Sequence, residues 1–121
     1  MRFDRFTAKL QQALSDAQSI AVGRDHSSIE TVHLLLALLQ QKDGSVSPLL
    51  KQAGANLATL DKKLNEQLER VATLKNPTGE VQVGQDLQRV FNLTDKLAQQ
   101  RQDQFIASEL VLLAIMDAGG D

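Results

Sequence analysis

The chain has 121 residues, a formal net charge of −2, an apolar content of 42% and four aromatic side chains, all Phe. That length suits one domain with a real core, and the charge and the aromatics argue against a phosphate-binding surface or a base-stacking platform, so nucleic acid is not an expected partner. The absence of cysteine excludes a disulfide framework, a thiolate metal site and a thiol nucleophile.

The opening Met1 to Phe6 carries an acid at position 4 with no apolar stretch behind it. The longest apolar runs, Leu34 to Leu39 and Leu110 to Met116, fall far short of the roughly 20 residues of a membrane span. A cytoplasmic protein without a membrane partner is expected.

Helices are predicted almost throughout. Asp4 offers an N-cap for the first, whose core candidates Leu10, Ala13, Leu14, Ala17 and Ala21 recur at intervals of three and four up to a stop at Gly23. A second helix opens at Thr31 as N-cap, runs through Leu34, Leu35, Ala37, Leu38 and Leu39, and ends before Asp43-Gly44. Its apolar character on nearly every side predicts a central, buried position. Ser47-Pro48 reads as N-cap and first residue of a short third helix closed by Gly54. Asn56 opens a fourth, with a stripe of Leu57, Leu60, Leu64, Leu68 and Val71 and with Asp61, Lys62, Lys63, Glu66, Glu69 and Arg70 toward water. The segment Thr73 to Gln85, with Asn76-Pro77-Thr78-Gly79 and Gly84, is a link in which Val81 and Val83 permit a short extended stretch but hardly a sheet. A fifth helix buries Leu87, Val90, Phe91, Thr94 and Ala98, and Ser108 is the N-cap of a last buried helix from Leu110 to about Met116.

Shifting the numbering by 77 superimposes residues 10–40 on 87–117 without a gap: Leu10, Gln11, Ala21, Arg24, Ile29, Leu35, Leu36 and Ala37 recur as Leu87, Gln88, Ala98, Arg101, Ile106, Leu112, Leu113 and Ala114. One supersecondary unit is therefore used twice. The expected architecture is an all-α bundle of two tandem repeats in one domain, residues 4–72 and from about 86 onward, joined by a link at 73–85. The second repeat stops at Gly119-Gly120-Asp121 without counterparts of the third and fourth helices. Either it is naturally incomplete or the chain is a piece of a longer protein. The second reading is favoured, since uncovered apolar surface is a serious loss when net stability is only ~5–15 kcal/mol.

Function should show where the copies differ. Asp16 becomes Leu93, Ser28 becomes Phe105 and His33 becomes Leu110, while Ile20 stays apolar as Leu97. Positions holding Asp or His in the first copy are expected near its surface. Leu93 and Leu97 share a helix face displaced from the core stripe, with Leu110 close behind. Together with Phe105 they either line an exposed apolar groove or are buried by the pseudo-symmetric packing. Asp103 and Glu109 flank Phe105-Ile106 and either fix that connection and a helix start or are solvated acids. His26 and His33, with no carboxylate arrangement around them, are expected to be structural rather than metal ligands or general bases. No phosphate loop, G-x-S-x-G or H-E-x-x-H motif occurs, and no cofactor is expected.

The segments Arg2 to Thr7, Ile29 to Leu39, Gly44 to Leu50, Ala53-Gly54, and Asp95 to Ala98 through Phe105 to Leu110 resemble the amino-terminal Clp repeat domain of bacterial ClpB-type protein disaggregases, in register along the whole chain. The resemblance implies a pseudo-twofold helical bundle of two four-helix repeats, tethered to a homo-hexameric ATPase ring, so that this chain is a binding domain and only its parent an enzyme. It implies engagement of unfolded or aggregated polypeptides, with groove residues at Leu93, Leu97 and Leu110 and supporting polar residues at Thr7, Asp103 and Glu109. Thr31 departs from close relatives, which often carry Pro there. Related Clp protease unfoldases share the double repeat and suggest an alternative, an adaptor-binding domain.

Overall fold

A computed structural model describes residues 3–41, 43–73 and 81–117. Among them are six α-helices: α1 (Ala8–Gly23), α2 (Thr31–Gln40), α3 (Val46–Gln52), α4 (Leu57–Leu68), α5 (Gln85–Arg101) and α6 (Ser108–Asp117). The expected turn at Asn76 to Gly79 and the terminal Gly119-Gly120-Asp121 lie outside the described residues.

Several boundaries differ from the sequence reading, each for a local reason. The N-cap of α1 is Thr7, whose Oγ1 accepts the Leu10 N–H at 3.3 Å, and Asp4 lies in a 3₁₀ turn, Phe3–Arg5. The intervening Phe6 is taken up by a backbone bridge to Ile106 and by the core, where its ring meets Phe91 at a centroid distance of 5.4 Å. Gly23 is the last residue of α1 rather than its stop; the chain turns through Asp25, at φ 57°. Gly54, at φ 91°, does close α3 as expected. Thr31 and Ser108 are each the first helical residue instead of the cap, the same one-residue offset in both copies. Ser47 lies inside α3, donating its hydroxyl to the Leu39 carbonyl at 2.8 Å, and Ser45 precedes the helix. Pro48 then falls in the first turn, where its missing N–H would have had no helical partner anyway. Asn56 caps α4 as expected, accepting the Thr59 N–H at 3.1 Å.

α1 packs along α2, and α5 along α6. The apolar periodicity delivers the core: Leu10, Ala13, Ala17 and Ala21 from α1, Val32 to Leu38 from α2, and Leu87, Val90, Phe91, Thr94 and Ala98 from α5 are all buried. From the α4 stripe only Leu64 and Leu68 are buried, while Leu57, Leu60 and Val71 remain half-exposed.

The two copies are stitched by exchanged backbone. β1 (Ser28–Ile29) pairs in parallel with β2 (Gln82–Val83), Ser28 opposite Gln82 and Ile29 opposite Val83, so the link does form a minimal ladder. Phe6 pairs likewise with Ile106. Under the 77-residue shift Phe6 corresponds to Val83 and Ile29 to Ile106. Each copy's lead-in segment is thus bonded to the other copy's interhelix connection: Thr7 N–H to Ile106 O at 2.9 Å, and Gly84 N–H to Ile29 O at 2.8 Å. The connections themselves repeat, with Asp25 and Gln102 left-handed at φ 57° and 58° and the next amide, His26 or Asp103, returning to Ala21 or Ala98 at 2.9 Å.

Candidate functional site

The turn after α5 decides where the candidate residues stand. Once Gln102 has reversed the chain, Arg5 holds the connection open by donating to the Asp103 carbonyl at 2.6 Å and the Gln104 carbonyl at 3.3 Å, with an ion pair to Asp95 at 3.3 Å. Pinned on both sides, by Arg5 and by the Ile106 bridge, the backbone leaves Phe105 pointing away from the core at 64% exposure while Ile106 is fully buried. Arg5 was not singled out by sequence reasoning. Its equivalent in the second copy is Gln82, so the repeat gave no warning of an ion pair there.

Phe105 stands at a groove of about 290 Å³ shared with Arg101, Asp103, Ala107, Glu109, Leu110 and Leu113. The structure therefore brings together four of the proposed residues: Phe105, Leu110, Asp103 and Glu109. Leu110 contributes little free surface, being buried at 7%. Leu93 and Leu97 lie on α5, half-buried and packed against the core edge, and are not part of this groove's lining. Thr7 sits behind the connection, as the cap of α1 and donor to Ile106, with no place in the lining. Asp103 accepts from Arg101 Nε at 3.2 Å, and Glu109 is exposed in the first turn of α6, where a negative charge is favourable. Apolar side chains, two acids and one guanidinium thus line the groove together.

Leu113 and Met116 were missed. Both are large and exposed, at 38% and 63%. Leu113 corresponds to Leu36, a buried residue beside Leu68 of α4, and an identical residue type in an identical pattern gave no hint that its cover would differ.

His33, expected near the surface, is fully buried, and His26 is buried with it. Histidine is tolerated inside because the two rings satisfy each other: His26 Nδ1 lies 2.7 Å from His33 Nε2, and His33 Nδ1 accepts the Glu30 N–H at 2.8 Å. Burial first, and then the neighbouring His26, pushes the His33 pKa down to about 4; burial and then Arg24 lower that of His26. Asp16, by contrast, does stand at the surface, bonded by Gln12. A larger cleft of about 580 Å³ lies between the copies, lined by Glu30, Arg70, Asp86 and Arg89 among apolar neighbours. A hydrogen bond with Asp86, and then burial, raises the Glu30 pKa. Among the described residues no three His, Asp or Glu side chains gather as metal ligands would, and no helix is long and apolar enough to cross a membrane.

Residues 5–121 match the Clp repeat (R) N-terminal domain family. The chain belongs to that family. It is 57% identical over 117 residues to "Chaperone protein ClpB" of Pseudomonas putida, covering 97% of this chain and 14% of that protein. To the protein of the same name from Vibrio cholerae it is 48% identical over 120 residues, 99% of this chain and again 14% of the relative. The chain thus spans about a seventh of the length of the curated relatives it matches. Among solved structures, the Hsp104 N-terminal domain from Candida albicans superimposes with a TM-score of 0.80 at 21% identity, covering 96% of this chain and 83% of that one. The N-terminal domain of the ClpV1 ATPase from E. coli gives 0.84 at 23% identity, covering 95% and 69%. These structural likenesses establish the fold as that of an all-helical Clp N-domain.

Proposed function

We propose that this chain is the substrate-engaging domain of an ATP-dependent protein disaggregase in the cytoplasm, binding exposed apolar segments of unfolded or aggregated polypeptides weakly and passing them to a hexameric ATPase ring formed by the rest of its parent. The observation that carries the reading is Phe105, held 64% exposed beside Leu113 and Leu110 at the groove mouth in a Clp N-domain so similar to those of ClpB chaperones. Exposed apolar side chains that cluster at one groove are a mark of an interaction surface, whereas single ones are ordinary. Leu93 and Leu97 extend the candidate surface along α5; Thr7, Asp103 and Glu109 support the connection and the rim.

The capture is passive. A non-native segment offers aliphatic and aromatic side chains that a folded protein hides, and the groove removes part of their surface from water. Complete burial of one such side chain is worth ~1.5–3 kcal/mol, and the costs of association consume most of what a few partial burials provide. Single-site dissociation constants on the order of ten micromolar to millimolar follow. Several tethered domains on one ring would raise the effective concentration, yet each would release the client readily.

The test is a titration of a labelled, permanently unfolded protein into the domain while amide shifts are recorded, on the native chain and on Phe105→Ser and Leu93→Gln variants. Shifts centred on Phe105, Leu113 and the Leu93 to Leu97 face, weakened in the variants, support client capture. Shifts centred elsewhere and unaffected by the substitutions reject this surface. Leu110→Gln is the poorer probe, because a buried position confounds binding with folding. A domain serving a folded adaptor instead would bind its partner undiminished in both variants.

A further inference from the structure

The buried imidazole pair of the first copy has no counterpart in the second, where the equivalent positions are Asp103 and Leu110. Its proton arrangement follows from one backbone amide. Because the Glu30 N–H donates to His33 Nδ1, that nitrogen holds a lone pair and the His33 proton is on Nε2. Nε2–H then donates to His26 Nδ1, 2.7 Å away, and the proton of His26 is on its own Nε2. The network uses neutral rings only. A proton added to His26 lands on Nδ1 against the His33 N–H; one added to His33 lands on Nδ1 against the Glu30 N–H. Either leaves a donor facing a donor and a charge inside the protein, both costly.

The pair sits where three segments meet. His26 belongs to the connection after α1 and forms a backbone bridge with Thr73, beyond α4; beside it the Ser27 N–H donates to the Ala72 carbonyl at 2.9 Å. His33 lies in the first turn of α2. Ser27, Glu30, Val71 and Ala72 also form one wall of the cleft of about 580 Å³ between the copies.

We propose that His26 and His33 form a proton-operated latch, which in the neutral state holds the segment after α4 against the start of α2 and on protonation releases it, opening the wall of the inter-repeat cleft in the first copy alone. The groups facing the pair come from three elements: Arg24 and Asp25 after α1, Glu30 ahead of α2, and Asp86 on α5. Arg24 opposes charging of both rings, Asp25 favours it at His26, the Glu30 backbone and then Asp86 favour it at His33, and burial outweighs all three. Both folded pKa values lie below the ordinary 6.5, so the folded state binds fewer protons than the unfolded one; the latch is intact above about pH 6.5 and is lost as pH falls toward 4.

Imidazole nitrogen NMR together with amide hydrogen exchange on the native chain, from pH 7 to pH 5, reads this directly. Both rings should be neutral Nε2–H tautomers at pH 7. After correction for intrinsic exchange, protection at the Ser27 amide should fall about tenfold or more by pH 5, while the Thr7 and Asp103 amides, both bonded at the second copy's connection, change by less than about twofold. In H26D/H33L, which imports the second copy's residues, the Ser27 loss should vanish. A charged ring at pH 7, an equal loss of protection at Ser27, Thr7 and Asp103, or a loss that persists in the double variant would overturn the latch. The first two readings need no variant, so they decide the matter even if the double variant folds poorly.

Discussion

Leu36 and Leu113 are the same residue at equivalent places in two copies of one unit, yet the first is 3% exposed and the second 38%. The difference lies in what covers them. α3 and α4 lie over α2 and bring Leu68 beside Leu36, whereas among the described residues no equivalent pair follows α6. The reverse contrast holds at the other helix of each copy: Leu14 is half-buried and its equivalent, Phe91, fully buried against Phe6. A repeat conserves which face of a helix is apolar. It does not conserve how deep that face lies, because depth depends on the neighbour that arrives.

Six substitutions would break or sharpen this contrast. Phe91→Ala should cost about 3–5 kcal/mol, the range for emptying a buried aromatic site, and Leu14→Ala distinctly less; urea denaturation of both variants measures the gap, and equal losses would mean that the copies are equally deep. Gly84→Thr, which installs the residue of the equivalent Thr7, should cost about 1 kcal/mol or less, since a Cβ at Gly84 would stand 2.7 Å from Glu30 Oε1, the far end of a flexible side chain that can give way. The strain is one of space, because Gly84 has an ordinary φ of −73°. Glu30→Ala, which copies Ala107, should restore most of that stability, and a double variant no more stable than Gly84→Thr would refute the steric account. Thr7→Ala should lower stability by about 1 kcal/mol through loss of the α1 cap, readable as a drop in Tm. Phe105→Ser should shift stability by less than about 0.5 kcal/mol while reducing capture of unfolded polypeptide; a larger loss of stability would place Phe105 in the fold rather than at a binding surface.

Much of the fold was legible because it depends on local rules. The apolar spacing of Leu87, Val90, Phe91, Thr94 and Ala98 named a buried face correctly, and Asn56 and Gly54 marked helix ends through chemistry that acts within a few residues. The errors occurred where long-range partners intervened. Asp4 is a good cap residue in isolation, but Phe6 is drawn into a bridge with Ile106, so the helix starts at Thr7. His33 looked like a surface residue because nothing local indicates that His26 will neutralise its polarity. The candidate site was legible in part. The differences between copies pointed to Phe105 and Leu110, which the structure brings to one groove, but gave no sign of Arg5, whose contacts depend on the turn after α5.

The amino-acid sequence alone determined that this protein is helical, that one unit is used twice, and which face of α1, α2 and α5 avoids water, since propensity, capping and periodicity are properties of neighbouring residues. Only the tertiary structure decided that the lead-in segments are exchanged between copies, that two histidines can share an interior, and that Phe105 faces outward while Ile106 beside it is buried. Those outcomes depend on which backbone donors and which side chains meet across the chain, where sequence distance carries no information about contact.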